Sequence, residues 1–168
     1  FKRWSGSGRC SFAAFQKGLS VGPPIDYRYG WDLALPSHQR LILKLIEAFK
    51  PKVVLAAPER THWSISNNRA NPSELQALQN SQEPMLSWLV EVTRIQIEGN
   101  RGIIIENPSR SAIWTKSPLL VLLTSWRSHS EEAQSVCLWR NPSCLQEGSA
   151  EGHHFCVYFG SEDSSQAV

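Results

Sequence analysis

A glycine pair near the start of the chain is the first feature whose residue types and spacing could do chemistry. Gly6 and Gly8 form a G-x-G between the candidate stub of a first strand, residues 1–4, and a helix-like stretch. Glycines let the backbone approach a ligand closely, and a helix start favours negative groups. Asp26 follows 18 residues after Gly8, about the spacing at which an acid accepts hydrogen bonds from ribose hydroxyls. The pattern favours a nucleotide-like cofactor, with a tight turn and a surface aspartate as the plain alternative.

Three more segments carry candidate binding groups. Asp32 follows a tryptophan and is placed to receive an adenine amino group, or is an ordinary turn residue. The segment from Pro58 to Ser64 combines a turn residue with charged, aromatic and hydroxyl side chains. Such groups could bind a phosphate or a nucleic-acid base. Glu106 comes directly after the apolar run Ile103–Ile105. A carboxylate at the end of a buried strand is costly unless it has a partner or a function, and the alternative is a solvated loop acid.

Metal and hydrolase chemistry receive little support from the sequence. His153, His154 and Cys156, with Cys137 and Cys144, are metal-ligating types, but they lack the close C-x-x-C pairs of structural zinc sites. The simpler interpretation is a buried cysteine beside surface histidines, so we predict no metal site. The sequence contains no P-loop, no G-x-S-x-G elbow and no H-E-x-x-H motif.

The elements that must position these residues alternate between strand and helix signals, which predicts an α/β fold with a Rossmann-like, mostly parallel sheet flanked by helices. A chain of 168 residues is expected to be one domain, 1–168, with a weakly patterned part from 128 to 168. The predicted strands are Phe1–Trp4, Leu19–Ile25, Val53–Ala57, Ile103–Ile105 and Phe155–Phe159. The predicted helices are Phe12–Lys17, Ser37–Lys50, Asn71–Glu98 with a kink or break at Pro84, and Pro118–Trp126.

The cysteine pattern and the lack of export signals favour a location inside the cell, and the composition shows no strong charge bias. The formal net charge is +2, so a nucleic-acid partner would need a local basic face. Four cysteines at loose spacing read as reduced thiols, and neither a secretory signal nor an N-glycosylation acceptor is present. The longest apolar runs are too short to span a bilayer. The chain begins at Phe1, which suggests a fragment or a processed, truncated chain.

Taken in order, these segments resemble the DNA cytosine 5-methyltransferases, a family of class I S-adenosylmethionine-dependent enzymes. The run from Trp4 to Gly8 looks like the family's F-x-G-x-G cofactor loop, and Glu106-Asn107-Pro108 looks like its Glu-Asn-Val/Pro motif. The run from Pro58 to Ser64 looks like the catalytic loop Pro-Pro-Cys-Gln/Thr-x-Phe/Trp-Ser. The resemblance covers about residues 1 to 125, with a weaker echo at Cys156-Val157-Tyr158.

The resemblance implies a role for each matched residue. The cofactor-binding set is Trp4, Ser5, Gly6, Ser7, Gly8, Asp26, Asp32 and Pro58. Glu106 is implied to be catalytic, and the residues implied to face the substrate are Trp63, Ser64 and Asn107. In the family a thiolate attacks carbon 6 of cytosine while a glutamic acid holds ring nitrogen 3. Here Arg60 occupies the nucleophile's position and Glu59 replaces the second proline.

Because arginine cannot be deprotonated in proteins, Arg60 cannot attack carbon 6. We therefore expect a divergent domain that binds S-adenosylmethionine, has DNA as its candidate partner and lacks the cytosine reaction. In a eukaryotic host it would be nuclear. One alternative is an active methyltransferase with another acceptor, since nitrogen acceptors need no thiolate. The other is a non-catalytic binding or scaffold domain of a larger polyprotein.

Overall fold

The helices and strands follow the predicted alternation over most of the chain. The computed structural model describes residues 9–64, 71–127, 137–140 and 154–159. Its helices are α1 (Arg9–Gln16), α2 (Pro36–Phe49), α3 (Pro72–Glu98), α4 (Ile113–Lys116) and α5 (Leu119–Arg127). Its strands are β1 (Val53–Ala56), β2 (Gly102–Pro108), β3 (Cys137–Arg140) and β4 (His154–Phe159). Single-turn 3-10 helices lie at Tyr27–Tyr29 and Thr61–Trp63.

The four strands form a sheet in the order β1-β2-β4-β3. Strands β1 and β2 are parallel, from Val53 opposite Gly102 to Ala56 opposite Ile105. Strand β4 is antiparallel to both β2 and β3. The chain is thus a mixed helix and strand fold with a parallel pair flanked by helices, which agrees with the α/β class. The described sheet is mixed, however, and not mostly parallel, because two of its three pairings are antiparallel.

Helix α3 supplies the crossover between the parallel strands and most of the core. Its buried side chains begin at three-residue spacing and include the consecutive residues 88–90, so they cover a wide side of the helix. That face packs with Ile103 and Ile105 of β2, which are 0 % and 1 % exposed. The buried apolar residues of the helix are Met85, Leu86, Trp88, Leu89, Val90 and Val92. Each large apolar side chain buried in this way contributes roughly 1.5–3 kcal/mol, so this contact fixes α3 on the sheet.

Gln96 ties the carboxyl end of α3 to the amino ends of both parallel strands. Its amide nitrogen donates to the Pro51 and Gly102 carbonyl oxygens at 3.1 and 2.9 Å, and its amide oxygen accepts from Arg101 Nε at 2.9 Å. Pro51 and Gly102 flank the starts of β1 and β2. The side chain therefore fixes where the two strands begin relative to the helix.

The structure corrects three expectations about single elements. No strand forms over 19–25, where Pro23 and Pro24 lack the N–H that a ladder needs. The continuous apolar run of β1 predicts a strand buried on both faces, but Val53 and Leu55 are 47 % and 48 % exposed. Helix α3 runs without a break through Pro84, which lies inside it at an exposed position, so of the kink or break expected there the break does not occur. Strand β3 and the short helix α4 were not predicted.

Within the described ranges, no helix combines the length and the apolar character needed to cross a membrane. The same residues contain no group of three or more His, Cys, Asp or Glu side chains arranged to hold a metal ion. His153 and Cys144, named above as metal-ligating types, lie outside the described residues.

Candidate functional site

The two segments that follow the parallel strands lie side by side. Ala56 pairs with Ile105 at the end of the register, so Pro58 and Asn107 leave the same edge of the sheet. The Asn107 side-chain nitrogen donates to the Pro58 carbonyl oxygen at 2.8 Å, across 49 positions of sequence. Both residues are buried. Ligands of parallel sheets bind outside this edge, so we take it as the candidate site.

A second tie joins the far ends of the same two segments. The Trp63 carbonyl oxygen accepts from the Ala112 backbone N–H at 2.8 Å and from the Ser111 hydroxyl at 3.2 Å. Each segment also contains a hydrogen-bonded turn of its own. Trp63 N donates to Arg60 O in the first, and Ser111 N donates to Pro108 O in the second. Residues 58–63, a loop after β1, and residues 107–112, which comprise the end of β2 and the turn after it, are therefore hydrogen-bonded to each other at both ends. We call them the two site loops.

Helix α3 anchors the first of these loops. The Trp63 indole N–H donates to Gln82 Oε1 at 2.6 Å, and the Gln79 amide donates to the His62 carbonyl oxygen at 2.9 Å. Trp63 is 1 % exposed. Although the resemblance places Trp63 toward the substrate, its ring here packs in the core and its N–H is already bonded to Gln82.

Glu106 and Arg60, the two residues that the resemblance predicts at catalytic positions, have different environments. Glu106 is half-buried within β2, where it lies opposite Cys156 of β4, and it already has a polar or electrostatic interaction partner. Arg60 is exposed at the start of the 3-10 turn Thr61–Trp63, and the neighbouring Glu59 carboxylate accepts from the Thr61 hydroxyl at 3.0 Å. A carboxyl and a guanidinium thus occupy the site edge, and no thiol is placed on either loop.

Asn107 carries an unpaired acceptor beside Glu106. Its amide nitrogen bonds Pro58, but its Oδ1 is buried without a hydrogen-bond partner in the described residues. A buried polar atom left in this way costs free energy. The geometry gives Asn107 a positioning role, since it holds the loop that carries Arg60 against the strand that carries Glu106.

Asp26 is a turn cap in this structure. Its Oδ1 accepts from the Arg28 backbone N–H at 3.0 Å, and its carbonyl oxygen accepts from Tyr29 N and Trp31 N. The residue is 0 % exposed. Asp26 takes part in further interactions beyond this bond, so a ribose can reach its carboxylate only if a present neighbour moves.

Asp32 is better placed to meet a ligand. It is half-buried, and its Oδ1 accepts from Ala34 N at 2.9 Å just before α2 begins. The His38 ring nitrogen accepts the Asp32 backbone N–H at 2.9 Å, and that ring meets Trp31 edge-on with centroids 5.9 Å apart. These contacts hold the backbone of Asp32 while its carboxylate keeps access to solvent.

The structure brings together Pro58 and Asn107, and Trp63 with the loop after β2. The turn from Asp26 to Asp32 packs on the same core through Ile25, Trp31 and Leu33. Ser64 is half-buried beside Trp63. Trp4, Ser5, Gly6, Ser7 and Gly8 lie outside the described residues. The described contacts therefore join the loop after β1 to the end of β2, while the glycine loop stays a prediction.

A cleft of about 380 Å³ lies elsewhere, between α2 and α3, and is lined by Leu43, Glu47, Lys50, Ile95 and Arg101. Lys50 and Arg101 come just before β1 and β2, so this cleft faces the amino ends of the strands. Since parallel sheets place ligands at the carboxyl ends, we do not assign the candidate site to it.

Sequence reasoning missed the residues that hold the site together. Gln79, Gln82 and Gln96 occupy buried positions of α3, and Ser111 is buried in the loop after β2. A signal was present for the glutamines, because polar residues at core spacing on a helix must find partners. Ser111 offered no such signal.

Comparison of the chain with protein-family models, with curated proteins and with solved structures gives no match. The function must therefore be argued from the chain's own residues and contacts.

Proposed function

We propose that this chain is an S-adenosylmethionine-binding, methyltransferase-like domain related to the DNA cytosine 5-methyltransferases, without the cytosine reaction. The observation that carries the proposal is the hydrogen bond from Asn107 to the Pro58 carbonyl oxygen. It joins the two segments that resemble the catalytic loop and the Glu-Asn-Pro motif, at the carboxyl ends of adjacent parallel strands. Adjacent parallel strands bring their carboxyl ends together in any such sheet, and the family's two motifs require this adjacency, so the contact supports the proposal.

The unit β1–α3–β2 supports a Rossmann-like architecture for the finer fold. Parallel neighbours need a crossover, and the 27-residue helix α3 supplies it while covering one face of the sheet. We propose that residues 1–168 form one such domain, that it works inside the cell, and that DNA is its partner.

The residues at the site edge fit one part of the family's reaction, the binding of the base, and do not fit the other, the attack on carbon 6. When bound, the cofactor supplies a methyl group on a positively charged sulfur. Glu106 keeps the carboxyl that would hold a base by its ring nitrogen. Arg60 offers no electron pair for attack on carbon 6, so the loop position where the family places its thiolate cannot perform the step that makes carbon 5 nucleophilic.

The two acids proposed for the cofactor differ in how well they fit it. Asp32 has solvent access and a fixed backbone, which suits a hydrogen bond from an adenine amino group. Asp26 is buried and caps a turn, so its contribution would require a local rearrangement. We therefore assign Asp32 as the more direct contact.

Calorimetric titration of S-adenosylmethionine into the chain tests the binding half of the proposal. We expect saturable heat with the unaltered chain and a weaker interaction with Asp32→Ala. Glu91→Ala, at an exposed position of α3, is the control and should bind like the parent. The absence of heat at high micromolar cofactor, with the chain shown to be folded, would refute cofactor binding.

A further inference from the structure

Two arginines lie on the paired loops at the site edge. Arg60 is between Pro58 and Trp63, and Arg110 is between Asn107 and Ser111. Because the loops are bonded at Pro58–Asn107 and again at Trp63–Ser111, both arginines sit on short spans between fixed points. The loop carrying Arg60 is tightened further by the bond from Trp63 N to Arg60 O at 3.0 Å. Their backbones are held in place, and each side chain has several ångströms of reach.

Both guanidinium groups are available to a ligand. Arg60 and Arg110 are exposed, and over the described residues neither side chain forms a hydrogen bond or an ion pair. The acids on these segments are Glu59, which accepts from the Thr61 hydroxyl, and Glu106, which is half-buried in β2. The two guanidinium groups have no ion-pair partner among the described residues, and they lie on segments held by hydrogen bonds. This edge of the sheet can therefore attract an anion.

We propose that Arg60 and Arg110 form a binding site for phosphate groups at the mouth of the candidate site. The planar guanidinium presents donors that match two phosphate oxygens at once, and fixed loops reduce the entropy lost on binding. In this chain the position of a nucleophile has thus become an anion contact. The phosphate would belong to a nucleic-acid strand or to a free phosphate compound. The inference rests on the paired loops and does not require the cofactor.

Fluorescence anisotropy with a 12-nucleotide single-stranded DNA, measured over a series of salt concentrations, tests the strand as the source. The variants are Arg60→Gln, Arg110→Gln and the double substitution. We expect each single variant to bind about tenfold more weakly and to reduce the slope of log affinity against log salt by about 0.7. Arg94→Gln and Arg40→Gln, at exposed positions of α3 and α2, are matched controls and should leave both quantities near the parent's.

Thermal unfolding with inorganic pyrophosphate tests the free compound as the source. If pyrophosphate raises the melting temperature of the parent and of both controls but not of the double variant, the site takes free phosphate groups. The proposal is overturned if neither probe binds, or if the control substitutions weaken binding as much as those at Arg60 and Arg110. Titration of S-adenosylmethionine into the double variant keeps this outcome separate, because cofactor binding there should match the parent.

Discussion

Asn107→Asp replaces the group that joins the two site loops with one of the same shape and the opposite hydrogen-bonding character. In the parent the Asn107 amide nitrogen donates to the Pro58 carbonyl oxygen at 2.8 Å in a buried setting. An ionised carboxylate has no proton to donate. The substitution therefore places a carboxylate oxygen opposite the Pro58 carbonyl oxygen, so two acceptors face each other, while the side-chain volume hardly changes.

The size of the effect follows from burial. Leaving the Pro58 carbonyl unsatisfied costs about 1–3 kcal/mol, and burying a charged carboxylate adds to this. We expect the free energy of unfolding at pH 7 to fall by about 2–4 kcal/mol. Burial should raise the pKa of the new carboxyl above its ordinary ~3.9. The folded variant then binds more protons than the unfolded chain, so its stability falls as pH rises through that window.

Urea unfolding of the parent and of Asn107→Asp at pH 7 and near pH 5 measures this prediction. The deficit should shrink at the lower pH, where a protonated carboxyl can donate to Pro58. Asn80→Asp, at an exposed position of α3, is the control and should change stability by less than about 0.5 kcal/mol. A deficit no larger than that of Asn80→Asp, or one equal at both pH values, would refute the reasoning.

Two further predictions concern residues beside the site. Gln82→Leu removes the hydrogen-bond partner of the buried Trp63 indole and should lower the free energy of unfolding, measured in urea, by about 1–3 kcal/mol. The control Gln76→Leu, exposed on the same helix, should lower it less. An equal decrease in both variants would contradict the account. Asp26→Ala removes a turn cap and should cost about 1–2 kcal/mol without any cofactor, a few degrees of melting temperature. An unchanged melting temperature would contradict the capping role of Asp26.

The sequence was most informative where one period dominates. Apolar spacing predicted α2, and the start signal Asn71–Glu74 with the stop signal Gly99–Asn100 predicted α3, each to within a few residues. Asn71 caps α3 through a hydrogen bond from Ser73 N at 3.1 Å. The run Ile103–Ile105 predicted the core of β2. These patterns are local, so they can be recognised without knowing what packs against them.

Features that depend on distant partners could not be predicted in the same way. Strand β2 extends through Glu106 to Pro108 because β4 pairs with it, and that pairing is set some 50 positions later. Trp63 looked like a residue for substrate contact, and only the position of Gln82 on α3 shows it to be buried. The tie between Asn107 and Pro58 depends on strand register, which the resemblance suggested but periodicity could not give.

Restoring the missing nucleophile tests most directly whether the site descends from a cytosine-modifying enzyme. The double variant Glu59→Pro, Arg60→Cys rebuilds the resembled loop, and a duplex containing a fluorinated cytosine with S-adenosylmethionine supplies the trap. The account predicts a covalent protein–DNA adduct, seen as a mass shift, that requires the introduced cysteine and is lost when Glu106→Gln is added. A folded, cofactor-binding double variant that forms no adduct, or an adduct that persists without Glu106, would contradict it.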